Sequence, residues 1–305
     1  MRTPPALLIA GHGTRDEAGA EAFRDFVREL GRRHPELPVA GGFIELSPPP
    51  LGDAVAELVE RGVRRFAAVP LMLVSAGHAK GDIPAALSRE RERHPGITYT
   101  YGRPLGPHPA LLRVLERRLA AAVDPAWDPA EVTVLLVGRG STDPDANAEV
   151  FKAARLMWEG RGYAAVETAF VSLAQPDVPG GLERCVRLGA RRVVVLPYFL
   201  FTGILPDRVR HQTEEWAAAH PETEVRSADV IGPEPELLDL VWERYEEAVG
   251  GDLRMNCDSC VYRIALPGFE DKVGLPQQPH FHPDDDGDHH HGHHHGHGHA
   301  HSPAR

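Results

Sequence analysis

Nowhere in the 305 residues is there an unbroken apolar run of eighteen, the length that marks a membrane-spanning helix. The opening Met1-Arg2-Thr3-Pro4-Pro5 passes directly into the strand-like Ala6-Leu7-Leu8-Ile9-Ala10-Gly11, without a signal peptide's apolar region and cleavage site. The expected location is therefore the cytoplasm, with no membrane as partner. Basic charge is in deficit, 33 Lys and Arg against 44 Asp and Glu for a net charge of −11, so no nucleic-acid partner is expected. Cysteine is scarcer still. Of three, Cys257 and Cys260 form a C-x-x-C, which suits metal or redox chemistry in a reducing compartment better than a disulfide framework. No phosphate-cradling Gly-rich loop with its lysine occurs, so nothing reads as an ATP site. What remains, 42% hydrophobic and 25% charged, is the composition of a soluble globular protein long enough for about two domains.

Composition changes sharply near the end. Of 18 histidines, 11 lie between His280 and His301, mixed with glycine and with Asp284, Asp285, Asp286 and Asp288. Such a segment cannot bury enough apolar surface to fold and reads as a flexible tail.

The body repeats itself. Ile9-Ala10-Gly11-His12-Gly13-Thr14-Arg15-Asp16 aligns with Leu136-Val137-Gly138-Arg139-Gly140-Ser141-Thr142-Asp143 at an offset of 127. The same offset places Phe43-Ile44-Glu45-Leu46 over Phe170-Val171-Ser172-Leu173 and residues 62–70 over 189–197. Near the end of each copy Gly106-Pro107-His108-Pro109 matches Gly232-Pro233-Glu234-Pro235 at offset 126, one residue having been lost. A register held this long means duplication. The expected domains are 1–123 and 124–249, followed by a cysteine segment at 250–270 and the tail at 271–305.

Within each copy, apolar runs alternate with helical periodicity. Strands are expected at 6–10, 39–44, 65–73 and 97–101, and at 132–137, 166–171, 192–201 and 224–230; in the first copy helices are expected at 17–33, 51–61, 83–94 and 109–122. Continuous apolar strands alternating with helices predict an α/β fold: two parallel-sheet units with a cleft between them. Ligands of such sheets bind beyond the carboxyl ends of the strands. Three polar side chains stand there in the first copy: His12 after strand one, Glu45 at the end of strand two and His78 after strand three. The second copy offers Arg139, Ser172 and Leu205 instead, so one copy bears the chemistry and the other supplies a facing wall. Two imidazoles and a carboxylate bind first-row divalent ions with positions left open, and they accept protons near neutrality. That set suits metal transfer.

Ala10-Gly11-His12-Gly13-Thr14-Arg15-Asp16, the Phe43-Ile44-Glu45 strand end, the stretch from Pro70 through Ser75-Ala76-Gly77-His78 to Asp82-Ile83-Pro84, and the duplication together resemble the sirohydrochlorin chelatases. Met255-Asn256-Cys257-Asp258-Ser259-Cys260 and the histidine tail resemble their long, cobalt-inserting, CbiX-like form. The resemblance implies a lyase that inserts Co²⁺ into sirohydrochlorin, a tetrapyrrole with eight carboxylates, on the way to cobalamin and without ATP. His12, Glu45 and His78 would be metal ligands and catalytic groups, and the macrocycle would lie in the cleft. An anionic substrate then calls for local cations, with Arg139 first, followed by Lys80, Arg208 and Arg210, and with Ser75 as a polar contact.

Cys257 and Cys260 are open to three readings: an iron–sulfur ligand pair, a redox dithiol or half a zinc site. The resemblance favours a [4Fe–4S] cluster, completed across a homodimer because Cys185 reads as a core residue. In the tail, His289, His290, His291, His293, His294, His295 and His297 form a multidentate reservoir for Co²⁺ or Ni²⁺, dispensable for the chemistry itself. Imidazole and carboxylate do not select the metal, so a ferrochelatase making sirohaem and a nickel chelatase stay open. A histidine phosphatase is disfavoured because Gly11 stands where its motif needs arginine. A metal store or chaperone driven by the tail would have no use for a duplicated body.

Overall fold

A computed structural model of the chain describes residues 4–251 and 270–273. Each copy is a four-stranded parallel sheet. In the first, β1 (Ala6–Gly11), β2 (Val39–Phe43), β3 (Arg65–Pro70) and β4 (Thr98–Tyr101) are ordered β2-β1-β3-β4. In the second, β5 (Val132–Gly138), β6 (Ala165–Phe170), β7 (Arg192–Pro197) and β8 (Glu224–Ser227) repeat that order as β6-β5-β7-β8. Central β1 and β5 are buried along their whole length, as strands covered by helices on both faces must be.

The helices are α1 (Glu17–Arg33), α2 (Leu51–Glu60), α3 (Ile83–Arg93) and α4 (Pro109–Ala122), then α5 (Pro144–Trp158), α6 (Val178–Arg187), α7 (Ile204–Ala219) and α8 (Pro235–Gly250). Asp16 and Asp143, at the same register, each cap a first turn, accepting from the backbone N–H of Gly19 and Asp145 respectively. The outer helices enclose separate cores on each sheet, Leu8, Leu58 and Ile83 in one and Leu135, Leu182 and Val193 in the other. A third core, with Phe26, Leu115, Val150 and Val241, runs continuously between the sheets and makes them one body.

That central layer contains an exchange of helices. α4 packs on β7 of the second sheet and α8 packs on β3 and β4 of the first. The boundary expected at 123/124 follows the sequence repeat, while the packed layers interlock across it. Two arginines fasten the exchange. Arg118 on α4 donates to the carbonyls of Val230 and Ile231, both at 2.9 Å, and Arg244 on α8 donates to those of Pro104 and Leu105 at 3.2 and 3.0 Å. Donors and acceptors are related by the offset of 126, so the two latches are one device used twice.

Three strands stop well before their expected ends, one of them β8, at Ser227 instead of 230. β3 ends at Pro70 and β7 at Pro197, whereas the hydrophobic pattern continues to 73 and 201. The overrunning residues, Leu71 to Leu73 and Tyr198 to Phe201, line a cavity between the copies, which is why they are apolar without being sheet. No helix among the described residues is long and apolar enough to cross a membrane.

Candidate functional site

The loop after β1 is held against the loop after β2. Ile44 N–H donates to Gly11 O at 3.0 Å and Glu45 N–H to His12 O at 3.2 Å, so the ladder runs past both strands and sets His12 beside Glu45. This close approach needs Gly13. Its φ is +105°, and a Cβ there would lie 1.8 Å from the Glu45 carbonyl oxygen. Leu46 takes a left-handed φ of 65° to turn the chain back. The hydroxyl of Ser47 then accepts from Thr14 N–H at 2.9 Å and donates to Thr14 O, tying the two loops together.

His78 opens a single π-helical turn, His78–Asp82, that runs into α3. The wide turn brings Asp82 back onto the imidazole, its Oδ2 2.6 Å from His78 Nδ1. A carboxylate accepts, so Nδ1 carries the proton and Nε2 keeps its lone pair. His12 is set the same way, since its Nδ1 lies 3.1 Å from Gly13 O, which can only accept.

Glu45 Oε1 lies 3.6 Å from His12 Nε2 and 3.8 Å from His78 Nε2, and the ligand atoms of all three residues fall within 4.8 Å of one another. Two donors on one first-row ion at about 2.1 Å sit roughly 3.5 Å apart, close to these separations. His78 Nε2 and Glu45 Oε1 are buried acceptors that receive no hydrogen bond. Acceptors desolvated toward one point have no reason to face each other except through a proton or a cation.

Arg139, at the register of His12 in the other copy, reaches across so that its Nη1 donates to His12 Nε2 at 3.0 Å. Burial pushes its pKa down, and the nearby charge of Glu45 opposes that. Arg139, His12 and His78 line the cavity of about 350 Å³ between the copies, with Leu205 among the residues of the second copy and with Tyr198, whose buried hydroxyl has no partner.

The remaining expected contacts are placed elsewhere. Lys80 does not line the cavity: its ammonium is buried between Asp143 Oδ2 at 2.7 Å and Asp145 Oδ2 at 3.0 Å, a cross-copy ion pair that consumes the charge expected to hold substrate. Ser75 is likewise absent from the lining, its backbone N–H donating to Glu149 Oε2 at 2.8 Å. Arg208 and Arg210 are also outside the lining, and Arg210 pairs with Asp207 and Glu214. Cys185 is buried in the second core, where burial pushes its thiol up to about 12. Cys257, Cys260 and the tail from His289 to His297 lie outside the described residues.

The sequence reading passed over Asp82 as a partner of His78 and Glu149 altogether. The spacing of four residues between His78 and Asp82 was a usable signal. Glu149 had none, because its raised pKa, about 7, comes from burial between copies, with Asp145 adding repulsion and the Ser75 N–H, Lys80 and Lys152 opposing.

A family model described as CbiX matches the chain twice, over residues 6–122 and 133–248. The sirohydrochlorin cobaltochelatase of Priestia megaterium is 38% identical over 265 residues, 86% of this chain and 85% of that one. The sirohydrochlorin ferrochelatase of the same organism is 35% identical over 213 residues, 69% of this chain and 78% of that one. Among solved structures, SirB from Bacillus subtilis with Fe³⁺ superimposes with a TM-score of 0.70 at 27% identity, covering 82% of this chain and 97% of its own.

Proposed function

Because the chain belongs to the CbiX family of sirohydrochlorin chelatases, we propose that its own reaction is ATP-independent insertion of Co²⁺ into sirohydrochlorin, with release of two protons, in cobalamin biosynthesis. The observation that carries the chemistry is the pair of imidazoles with Nε2 lone pairs turned toward one carboxylate oxygen, at the wall of a cavity shared by both copies.

In this reading His12, Glu45 and His78 take Co²⁺ from solution. Two neutral nitrogens and one carboxylate hold the ion without saturating it, so positions stay open for pyrrole nitrogens. The macrocycle lies in the cavity against the apolar wall of the second copy. As cobalt–nitrogen bonds form, the ring loses two protons, and the Nε2 atoms being vacated by the metal accept them. Asp82 steadies the imidazolium that forms on His78, because its carboxylate sits on the opposite nitrogen. Positioning and base catalysis suffice, and no nucleotide is needed.

Cobalt is favoured by the 38% identity to the cobaltochelatase across most of both chains. The ferrochelatase relative at 35% makes Fe²⁺ the competing substrate and sirohaem the competing product. The deciding assay is anaerobic: protein, sirohydrochlorin and Co²⁺, Fe²⁺ or Ni²⁺ in separate reactions, following macrocycle absorption against a no-enzyme control. Faster insertion of Co²⁺ is expected, whereas a preference for Fe²⁺ or Ni²⁺ reassigns the pathway. No acceleration with any metal would leave a metal-binding protein and overturn the reading. Removal of 280–305 is expected to leave most activity at saturating metal, the tail acting as a reservoir. For Cys257 and Cys260 the proposed role is a [4Fe–4S] cluster shared in a homodimer, tested by iron and sulfide content and by mass in solution after anaerobic purification.

A further inference from the structure

The geometry points to Arg139 as a stand-in for the metal: its guanidinium holds the His12 nitrogen that a divalent ion must take, and the arriving ion displaces it into the cavity, where it anchors a carboxylate of the macrocycle. The second half rests on the function proposed above. The first half does not.

An imidazole that carries its proton on Nδ1 has one lone pair, on Nε2. For His12 that proton is fixed by Gly13 O, and the lone pair receives the Arg139 Nη1–H at 3.0 Å. One lone pair cannot serve an arginine and a metal together, so the two states exclude each other. Charge works in the same direction. The Glu45 carboxylate favours keeping the buried guanidinium close. An ion bound by Glu45 would cancel that attraction and add repulsion between cations a few ångströms apart. The displaced side chain has somewhere to go, because Arg139 borders the cavity. Lys80 and Arg210 are committed to acidic partners away from the lining, and of the two arginines that line the cavity, Arg15 and Arg139, it is Arg139 that holds the His12 nitrogen. Metal entry and macrocycle anchoring are then linked, and each strengthens the other by the same factor.

The test uses the full chain and Co²⁺ alone. Binding is titrated for the wild type, Arg139→Met and Arg139→Lys, and ions taken up by the tail are cancelled by subtracting the curve of the matching His78→Ala chain. Loss of the competing hydrogen bond should tighten Co²⁺ binding roughly tenfold in Arg139→Met. Arg139→Lys, which keeps the buried charge but not the planar fork, should tighten it less. With sirohydrochlorin, Arg139→Met should raise KM more than it lowers kcat. A merely structural arginine would weaken metal and macrocycle binding together. Unchanged or weaker Co²⁺ binding in the folded variants overturns the stand-in role, as does a Co²⁺-bound crystal structure with Arg139 still within hydrogen-bond distance of His12 Nε2. Because the Co²⁺ titration contains no tetrapyrrole, its outcome is independent of whether the chain is a chelatase.

Discussion

The two copies share a backbone down to its strained details and differ where the chemistry lies. Gly13 and Gly140 have φ of +105° and +89°, and a Cβ on either would stand 1.8 Å from the carbonyl of the facing loop. Leu46 and Leu173 both take left-handed angles, 65° and 59°. On this common frame one copy carries His12, Glu45, His78 and Asp82, and the other Arg139, Ser172, Leu205 and Val209. A strained loop that persists where no ligand needs it is a feature of the wall: it brings two strand ends together and closes the cavity on that side. The proposed ligands are an addition to one copy of that wall. The other copy answers with one cation and an apolar surface, which is what a flat ring bearing carboxylates calls for.

The sharpest way to break the comparison is to remove a ligand and its counterpart in parallel. His78→Ala deletes a proposed metal ligand and proton acceptor and should lower metal insertion by about 10²–10⁴-fold. Leu205→Ala, its equivalent, should leave kcat nearly unchanged and raise KM by less than about tenfold, as expected for lost apolar contact. Equal losses in the two variants would mean that the copies share the chemistry. The latches allow the next comparison. The Arg244 side chain is 1% exposed and that of Arg118 29%. Arg244→Met strands two carbonyls in the core and should cost about 2–4 kcal/mol in urea unfolding, against about 1 kcal/mol for Arg118→Met, whose partly exposed side chain lets water take the place of the lost guanidinium. A reversed order would place the interlock's weight on α4 instead of α8.

Much of this was legible in the sequence, for reasons that stop at the copy boundary. Strand ends and the offset of 127 are local patterns, so they placed His12, Glu45 and His78 at one sheet edge. What the sequence left hidden is set by how the copies face each other. Arg139 meets His12, its own counterpart, because equivalent strand ends approach across the cavity, and no periodicity within either copy encodes that approach. Lys80 read as a free cation for the same reason, since Asp143 and Asp145 reach it from the other copy. The exchange of α4 and α8 is equally invisible to hydrophobic pattern, because an amphipathic helix fits either sheet. Strands three and seven were read too long since a cavity wall and a buried strand are both simply apolar.

Asp82 sharpens the comparison at the level of a single ring. Asp82→Asn keeps the size of the side chain and can still accept from His78 Nδ1–H, but it removes the negative charge that makes the opposite nitrogen a better ligand. Metal affinity should fall by about 10–100-fold with no change in fold, read by Co²⁺ titration against the same tail-cancelling control. An unchanged affinity would reduce Asp82 to holding the π-turn in place.

The smallest effect tests the interface between the copies. Glu149, which has Ala22 as its counterpart, is half-buried between the copies, and that burial, with Asp145 beside it, pushes its carboxyl up to about 7. Its pKa is raised above the unfolded value of 4.5, so the folded protein binds more protons between these two values, and stability must fall as pH rises through that window. Glu149→Gln removes the titration and keeps an acceptor for Ser75 N–H. Relative to this variant, the wild type should lose about 1–2 kcal/mol between pH 4.5 and 8, the loss centred between 4.5 and 7. The Ser75 hydrogen bond survives in both, so a difference in pH slope isolates the buried charge. Parallel slopes would mean that Lys80 and Lys152 already neutralise Glu149, and that the contact between the copies is insensitive to pH.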